Sequence, residues 1–298
     1  MSAIQAEDLT KDYGKGRGIF SLELSVKEGE CFGFLGPNGA GKTTTIRHLT
    51  GLIKADAGRC RILGKDCFKE SADIAQNLGY LPAELVFPFS MTGEAFLRFL
   101  MQMRRVDARR RIRDLADLLE LDMTQNIRRM SKGNRQKVGI IAALFHQPGV
   151  LILDEPTSGL DPLMQNRFLN LLQEEKKKGV TIFLSSHIFE EVERICDRAA
   201  MIREGRIIAC EDIRTMKSRQ RKECVLYFPD EEAVQSADFT GLTVKKQDGR
   251  RVILGIPEHL PEFLQRISAF PVADMETRTL SLEELFLQYY SEDGRKAE

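Results

Sequence analysis

Gly36-Pro37-Asn38-Gly39-Ala40-Gly41-Lys42-Thr43 is the stretch on which the reading of this chain turns. It meets the P-loop pattern G-x-x-x-x-G-K-[ST] at every fixed position. It stands between a strand-like run, Cys31–Leu35, and a helical one, Thr43–Leu52. Glycines let a backbone wrap a phosphate chain with its N–H groups turned inward, and a helix that starts there presents its positive end to the same anion. Lys42 sets a charge against β- and γ-phosphates, and Thr43 offers a hydroxyl to Mg2+.

Downstream, strand-like and helical runs alternate: Val150–Leu153 then Leu163–Lys178, and Thr181–Ser185 then Phe189–Cys196. The alternation predicts an α/β fold, a parallel sheet covered by helices. Leu151-Ile152-Leu153 and Ile182-Phe183-Leu184 lack period-two alternation, which suits central strands buried on both faces. The first of these runs ends in two adjacent carboxylates, Asp154 and Glu155. At a sheet's carboxyl edge beside a P-loop, one carboxylate can hold Mg2+ or its water shell and the next can polarise an attacking water. Between about residues 84 and 148 the pattern turns helical. Ile112, Leu115, Ala116, Leu118 and Leu119 mark one face, and Arg109, Arg110, Arg111 and Arg113 largely the other. A helical insertion inside an α/β domain of residues 1–216 follows. The run from Arg104 to Arg113 reads either as a solvated helix face or as a surface for a partner's helices or lipid headgroups.

Three further segments narrow the family. Met130-Ser131-Lys132-Gly133-Asn134, followed by Arg-Gln-Lys, resembles the ABC signature, whose usual form is LSGGQ. Ser158-Gly159-Leu160-Asp161, directly after Asp154-Glu155-Pro156-Thr157, is similar to the D-loop, and His187 in Leu-Ser-Ser-His is similar to the switch histidine. The order and spacing of all these motifs over residues 1–210 resemble an ABC ATPase, the ATP-hydrolysing subunit of a transporter with its permease on a separate chain. The resemblance implies a P-loop NTPase fold of the ABC type, with a mixed sheet core, and a head-to-tail homodimer. ATP would be held by Gly36, Asn38, Gly39, Ala40, Gly41, Lys42, Thr43 and Thr44, with Tyr13 stacked on adenine. The partner subunit's signature segment, Ser131, Lys132, Gly133 and Asn134 in this numbering, would close the site, with Ser131 also capping the helix that runs from about Asn134 to Phe145. The same resemblance gives Glu155 the activation of water, Asp154 and Thr43 the Mg2+, His187 the γ-phosphate and Asp161 communication across the dimer.

The chain departs from the family pattern at two places. Ala83, in Gly79-Tyr80-Leu81-Pro82-Ala83-Glu84, stands where a sensor-loop Gln is usual, with Glu84 beside it. Lys132 replaces a Gly and Asn134 a Gln in the signature. With the C-terminal Leu282-Glu283-Glu284-Leu285-Phe286, these features resemble a bacterial subgroup that powers drug, antibiotic and peptide export.

Lys and Arg number 44 and Asp and Glu 44, so no net field draws the chain to nucleic acid or to anionic lipid. No apolar run approaches the roughly 18–20 residues of a membrane span, and the first ten residues lack a signal-peptide pattern. A cytoplasmic protein, peripheral on the membrane through its permease, is expected. The six cysteines show no metal-ligand spacing and read as free thiols. A basic linker is expected at residues 217–222, before a small α+β domain at 223–298. There, Cys224–Phe228 and Thr243–Gln247 read as strands, Asp248-Gly249 as a hairpin turn before Val252–Ile256, and Leu260, Phe263, Leu264 and Ile267 as an amphipathic helix. Ser281-x-x-Glu284 reads as a capping box for a last helix, Leu282–Tyr290. Two other classes compete with the transporter motor: a soluble ABC-type ATPase, and a nucleotide-dependent regulatory switch without transport.

Overall fold

The computed structural model describes residues 1–88, 90–218, 222–257, 259–279 and 284. The chain divides into two compact units, Met1–Ile213 and Arg214–Glu298.

The first unit opens with strands that the sequence reading did not single out, β1 (Ser2–Asp12) and β2 (Gly18–Lys27). Ile4, Ala6 and Leu9 of β1 and Leu22, Leu24 and Val26 of β2 are buried, while polar residues between them face out. Next come β3 (Cys31–Leu35), α1 (Lys42–Leu49), β4 (Ala57–Ile62), β5 (Lys65–Asp66), α2 (Ser71–Asn77) and β6 (Leu78–Leu81). A helical stretch follows: α3 (Gly93–Arg104), α4 (Arg109–Leu118) and α5 (Lys132–Leu144). The unit ends with β7 (Val150–Asp154), α6 (Pro162–Lys177), β8 (Thr181–Ser186), α7 (Phe189–Ile195), β9 (Arg198–Arg203) and β10 (Arg206–Asp212).

Two sheets result. One is antiparallel, in the order β2-β1-β4-β5. The other runs β10-β9-β3-β8-β7-β6, parallel from β9 to β6 with β10 antiparallel at its edge. This is the mixed core expected of a P-loop NTPase. Strands β3, β7 and β8 are buried along their whole length, so apolar residues occupy both faces of each. Phe183 of β8 lies 6.0 Å from Phe32 and 5.3 Å from Phe34 of β3, ring centre to ring centre, at the heart of a core shared by both sheets.

In α4, Ile112, Leu115 and Ala116 are buried, as is Leu119 just beyond it, but Leu118 is 39% exposed and leaves the expected apolar face. Nor are the arginines uniformly solvated. Arg111 pairs with the buried Glu175 of α6 at 2.5 Å, and Arg104 donates to the carbonyls of Ala75 (2.7 Å) and Leu78 (3.3 Å). These bonds tie the helical stretch to the sheet core.

The second unit holds β11 (Lys222–Tyr227), α9 (Glu231–Ser236), β12 (Thr243–Asp248), β13 (Arg251–Gly255), α10 (Leu260–Ile267) and β14 (Asp274–Thr279), and α8 (Ile213–Ser218) spans the division in sequence. Its antiparallel sheet has the order β12-β13-β11-β14. Asp248 pairs with Arg251, and Gly249 takes φ 54° in the turn between them. Phe263 and Ile267 of α10 join Cys224, Leu226, Phe228 and Val252 in the core, whereas Leu260 and Leu264 are 46% and 44% exposed. In the stretch read as a linker, Lys217 and Ser218 end α8 and Lys222 opens β11, while 219–221 lie outside the described residues. Of the last helix, only Glu284 is described, bonded to Arg278 at 3.0 Å.

All six cysteines are free, and Cys31 and Cys196 bring their sulfurs to 3.5 Å. Among the described residues no helix is long and apolar enough to cross a membrane, and no acidic or His/Cys cluster of metal-binding form is present.

His146, between α5 and β7, gives the fold a pH dependence. Its Nε2 lies 3.1 Å from the carbonyl oxygen of Leu78, and its Nδ1 is buried without a partner. Burial, then the neighbouring Arg104 guanidinium, push the imidazole from 6.5 down to about 4. The unfolded chain therefore binds the extra proton first, so stability is intact above about pH 6.5 and falls as the pH drops toward 4. His146→Gln should flatten that fall, measured as the difference between urea midpoints at pH 7 and pH 5 for variant and parent.

Candidate active site

Strands β3, β8 and β7 lie side by side and point the same way, so what leaves their carboxyl ends meets. Residues 36–41 leave β3, Asp154 and Glu155 close β7, and Ser185 to His187 close β8. A Cβ on Gly36 would stand 2.5 Å from the carbonyl oxygen of Ile202, and one on Gly41, at φ 115°, 2.9 Å from Ile19. Both positions therefore need glycine. Gly39, at φ 82°, has nothing within 4 Å of where its Cβ would be, so the loop is open above it. Asn38 is exposed, Ala40 is buried with its N–H on Pro37, and Thr44 is half-buried in the first turn of α1. Gly41 caps α1 without a side chain, which leaves the helix's positive end free for an anion.

Charge is concentrated beneath this loop. Lys42, 6% exposed, places Nζ 2.6 Å from the Gly36 carbonyl, 3.2 Å from that of Pro37 and 3.3 Å from Glu155 Oε1. Glu155 Oε1 accepts no hydrogen bond, so the ammonium holds it by charge alone. The other oxygen, Oε2, lies 2.5 Å from Nδ1 of the exposed His187. Glu155 itself sits at φ 49°, with its N–H on the Ser185 carbonyl at 3.1 Å. Asp154, almost wholly buried, accepts from Thr43 Oγ1 at 2.9 Å and from Ser185 Oγ at 2.6 Å. Thr43 and Asp154 thus present hard oxygen donors side by side, the chemistry that suits Mg2+.

The remaining expected site residues stand elsewhere. Ser131 caps α5, its Oγ accepting from the Asn134 N–H at 3.1 Å. Lys132 Nζ lies 3.2 Å from Ser158 Oγ, and a Cβ on Gly133 would come 2.8 Å from the Gly159 carbonyl oxygen. The 131–134 segment therefore packs on the loop after Glu155, and no hydrogen bond or ion pair among the described residues joins it to Lys42, Asp154 or His187. Asp161 caps α6 by accepting from the Met164 N–H at 3.0 Å. Tyr13 follows β1, 51% exposed, with Lys11 Nζ 5.9 Å from its ring centre. Ala83 is half-buried and Glu84 exposed after β6, and Glu84 makes no hydrogen bond or ion pair among the described residues.

Several residues at the site escaped the sequence reading. Ser185 holds Asp154, Gln136 donates to the Pro156 carbonyl at 2.7 Å, and Glu191 of α7 accepts from Thr157 Oγ1 (2.5 Å) and Ser186 Oγ (2.9 Å). Burial pushes the Glu191 carboxyl above the usual range. A polar Ser185-Ser186 pair at the end of an apolar strand was the available signal for the first. For the last there was none, because a seven-residue helix is too short for periodicity to say which of Glu190 and Glu191 turns inward.

Residues 19–158 match the family model described as ABC transporter. The bacitracin transport ATP-binding protein BcrA of Bacillus licheniformis is 36% identical over 74% of this chain and 72% of its own length. The linearmycin resistance ATP-binding protein LnrL of Bacillus subtilis is 37% identical over 69% and 68%. The uncharacterized ABC transporter ATP-binding protein YhcH of Bacillus subtilis, at 32% identity, aligns over 98% of this chain and 97% of its own. A solved ATP-binding subunit of an ABC transporter superposes with a TM-score of 0.68 at 30% identity, covering 73% of this chain and 92% of that one. The dimeric cassette MJ0796 bound to ADP and phosphate shares the fold, with a TM-score of 0.63 at 22% identity over 70% and 98%.

The Lys42–Glu155 pair carries a stability test. Lys42→Met removes the cation from a carboxylate only 17% exposed, and Glu155→Gln removes the anion. A double-mutant cycle in urea should give a favourable coupling of about 1–3 kcal/mol between the two, and an additive cycle would show that the pair is not formed.

Proposed function

This chain belongs to the ABC transporter family as an ATP-binding, ATP-hydrolysing subunit, and from that premise we propose that it powers export through a separate membrane-spanning permease. The observation that carries the reading is the meeting of Lys42, Thr43, Asp154, Glu155 and His187 at one sheet edge, under an open phosphate-binding loop.

Lys42 now spends its protons on two carbonyls of its own loop and its charge on Glu155. A triphosphate entering over Gly39 gives that ammonium a stronger partner, and Glu155 is released to accept a proton from water. His187, held by Glu155 at Nδ1, keeps Nε2 for the terminal phosphate. Gly41 and the uncapped first turn of α1 supply N–H groups to the same anion. Mg2+ bound to Thr43 and Asp154 would neutralise charge on the β- and γ-phosphates.

Two features support a paired mode of action. Ser131 is exposed at the start of α5, and its segment stays apart from the Lys42–Glu155 cluster of the same chain. It is thus available to close over ATP bound to a second copy, with Asp161 at the neighbouring loop end. Tyr13 is exposed enough to stack on adenine. The relatives' names, bacitracin transport and linearmycin resistance, favour export of an antibiotic, with this chain held at the inner membrane face by its permease.

ATP hydrolysis should be measured on the purified chain, alone and with the permease reconstituted in lipid. Turnover should rise with the permease, and Glu155→Gln should bind ATP while slowing turnover by about 100-fold or more. Turnover indifferent to any membrane partner would reassign the chain to soluble ATPases, and a fully active Glu155→Gln would remove Glu155 as the base.

A further inference from the structure

Glu191 belongs to no motif of the sequence, yet it is buried to 4% exposure and bonds residues close in sequence to both Glu155 and His187. Each of its oxygens takes one hydroxyl. Oε1 accepts from Thr157, itself 3% exposed, two residues after Glu155. Oε2 accepts from Ser186, one residue before His187, at 2.9 Å. Ser186 Oγ in turn accepts the Ile188 N–H at 2.9 Å, so the hydroxyl spans His187 from both sides. The loop after β7 and the turn after β8 are therefore gripped by a single carboxylate.

Such a grip answers a specific need. Glu155 stands in a left-handed backbone conformation that is costly for it to keep, and the His187 side chain is 57% exposed, so both positions gain from a support anchored in the core. We propose that Glu191 is a positioning residue for hydrolysis: by holding Thr157 with one oxygen and Ser186 with the other, it keeps Glu155 and His187 in register with each other. This rests on the reading of Glu155 and His187 as the hydrolytic pair. Two buried hydroxyl donors ask for a group with two acceptors in one plane, which is what a carboxylate supplies. Glu191 lies on α7, whose Val192 packs against Gly33 of β3, so the grip is anchored to the strand that feeds the phosphate-binding loop.

The test is steady-state ATP hydrolysis by the full chain carrying Glu191→Ala, Glu191→Gln, Thr157→Val or Ser186→Ala, with Glu155→Gln alongside. Glu191→Ala should lower kcat by about tenfold or more while KM stays within about twofold, because the loop that binds ATP is untouched. Glu191→Gln should recover kcat to within about threefold of the parent, since its amide oxygen serves Thr157 and its NH2 can donate to Ser186. Thr157→Val and Ser186→Ala each cut one tie and should each lower kcat by about threefold at unchanged KM. They carry the test if the alanine variant does not fold. Parental kcat in the folded Glu191→Ala, or in both single-tie variants, overturns the proposal. So does a KM that rises as kcat falls, or a Glu191→Gln as slow as the alanine. Glu155→Gln separates the two claims: normal turnover there removes the hydrolytic pair itself, while a dead Glu155→Gln beside a fully active Glu191→Ala removes Glu191 alone.

Discussion

Asp154 accepts one hydrogen bond from each of two hydroxyls at the sheet edge, Thr43 beyond β3 and Ser185 at the end of β8. Three chain segments far apart in sequence are stitched at that point. The stitch is possible only because β3, β8 and β7 are parallel and adjacent, so that their carboxyl ends share one edge. The remaining site geometry depends on it. Lys42 is one residue before Thr43, Glu155 one after Asp154, and His187 two after Ser185, so fixing the three polar anchors brings the ammonium, the carboxylate and the imidazole within reach of one another.

The buried anchors and the side chains around them are held in different ways. Asp154 and Glu191 are nearly inaccessible and have both oxygens hydrogen-bonded, whereas Glu155 keeps one oxygen without a hydrogen bond and His187 is open to solvent. Fully satisfied buried carboxylates rigidify a site, whereas the second oxygen of Glu155 is engaged only by the charge of Lys42. The helical stretch is tied to this rigid part by Arg111 to Glu175 and by Arg104 to the carbonyls of Ala75 and Leu78, so what was read as a charged face is partly structural.

What the sequence made legible was local. The P-loop and the paired acids carry their chemistry in consecutive residues, and the buried strands β7 and β8 announce themselves as unbroken apolar runs. The N-terminal antiparallel sheet was missed because β1 mixes Gln5, Glu7 and Asp8 among its buried Ile4, Ala6 and Leu9, which blurs the alternation. Glu191 was missed for the opposite reason: its importance lies wholly in partners 34 and 5 residues away. In the second unit the hairpin at Asp248-Gly249 was visible from its turn residues, but the inward face of α10 was drawn too wide, because Leu260 and Leu264 are apolar yet exposed.

Glu155 stands at φ 49°, a region that suits glycine and burdens any residue with a Cβ by about 1–2 kcal/mol. A lineage drifting toward greater thermal robustness would therefore find glycine at this position downhill. With Glu155 as the base proposed above, the backbone kink that aims the carboxylate also marks the position where stability and activity are set against each other.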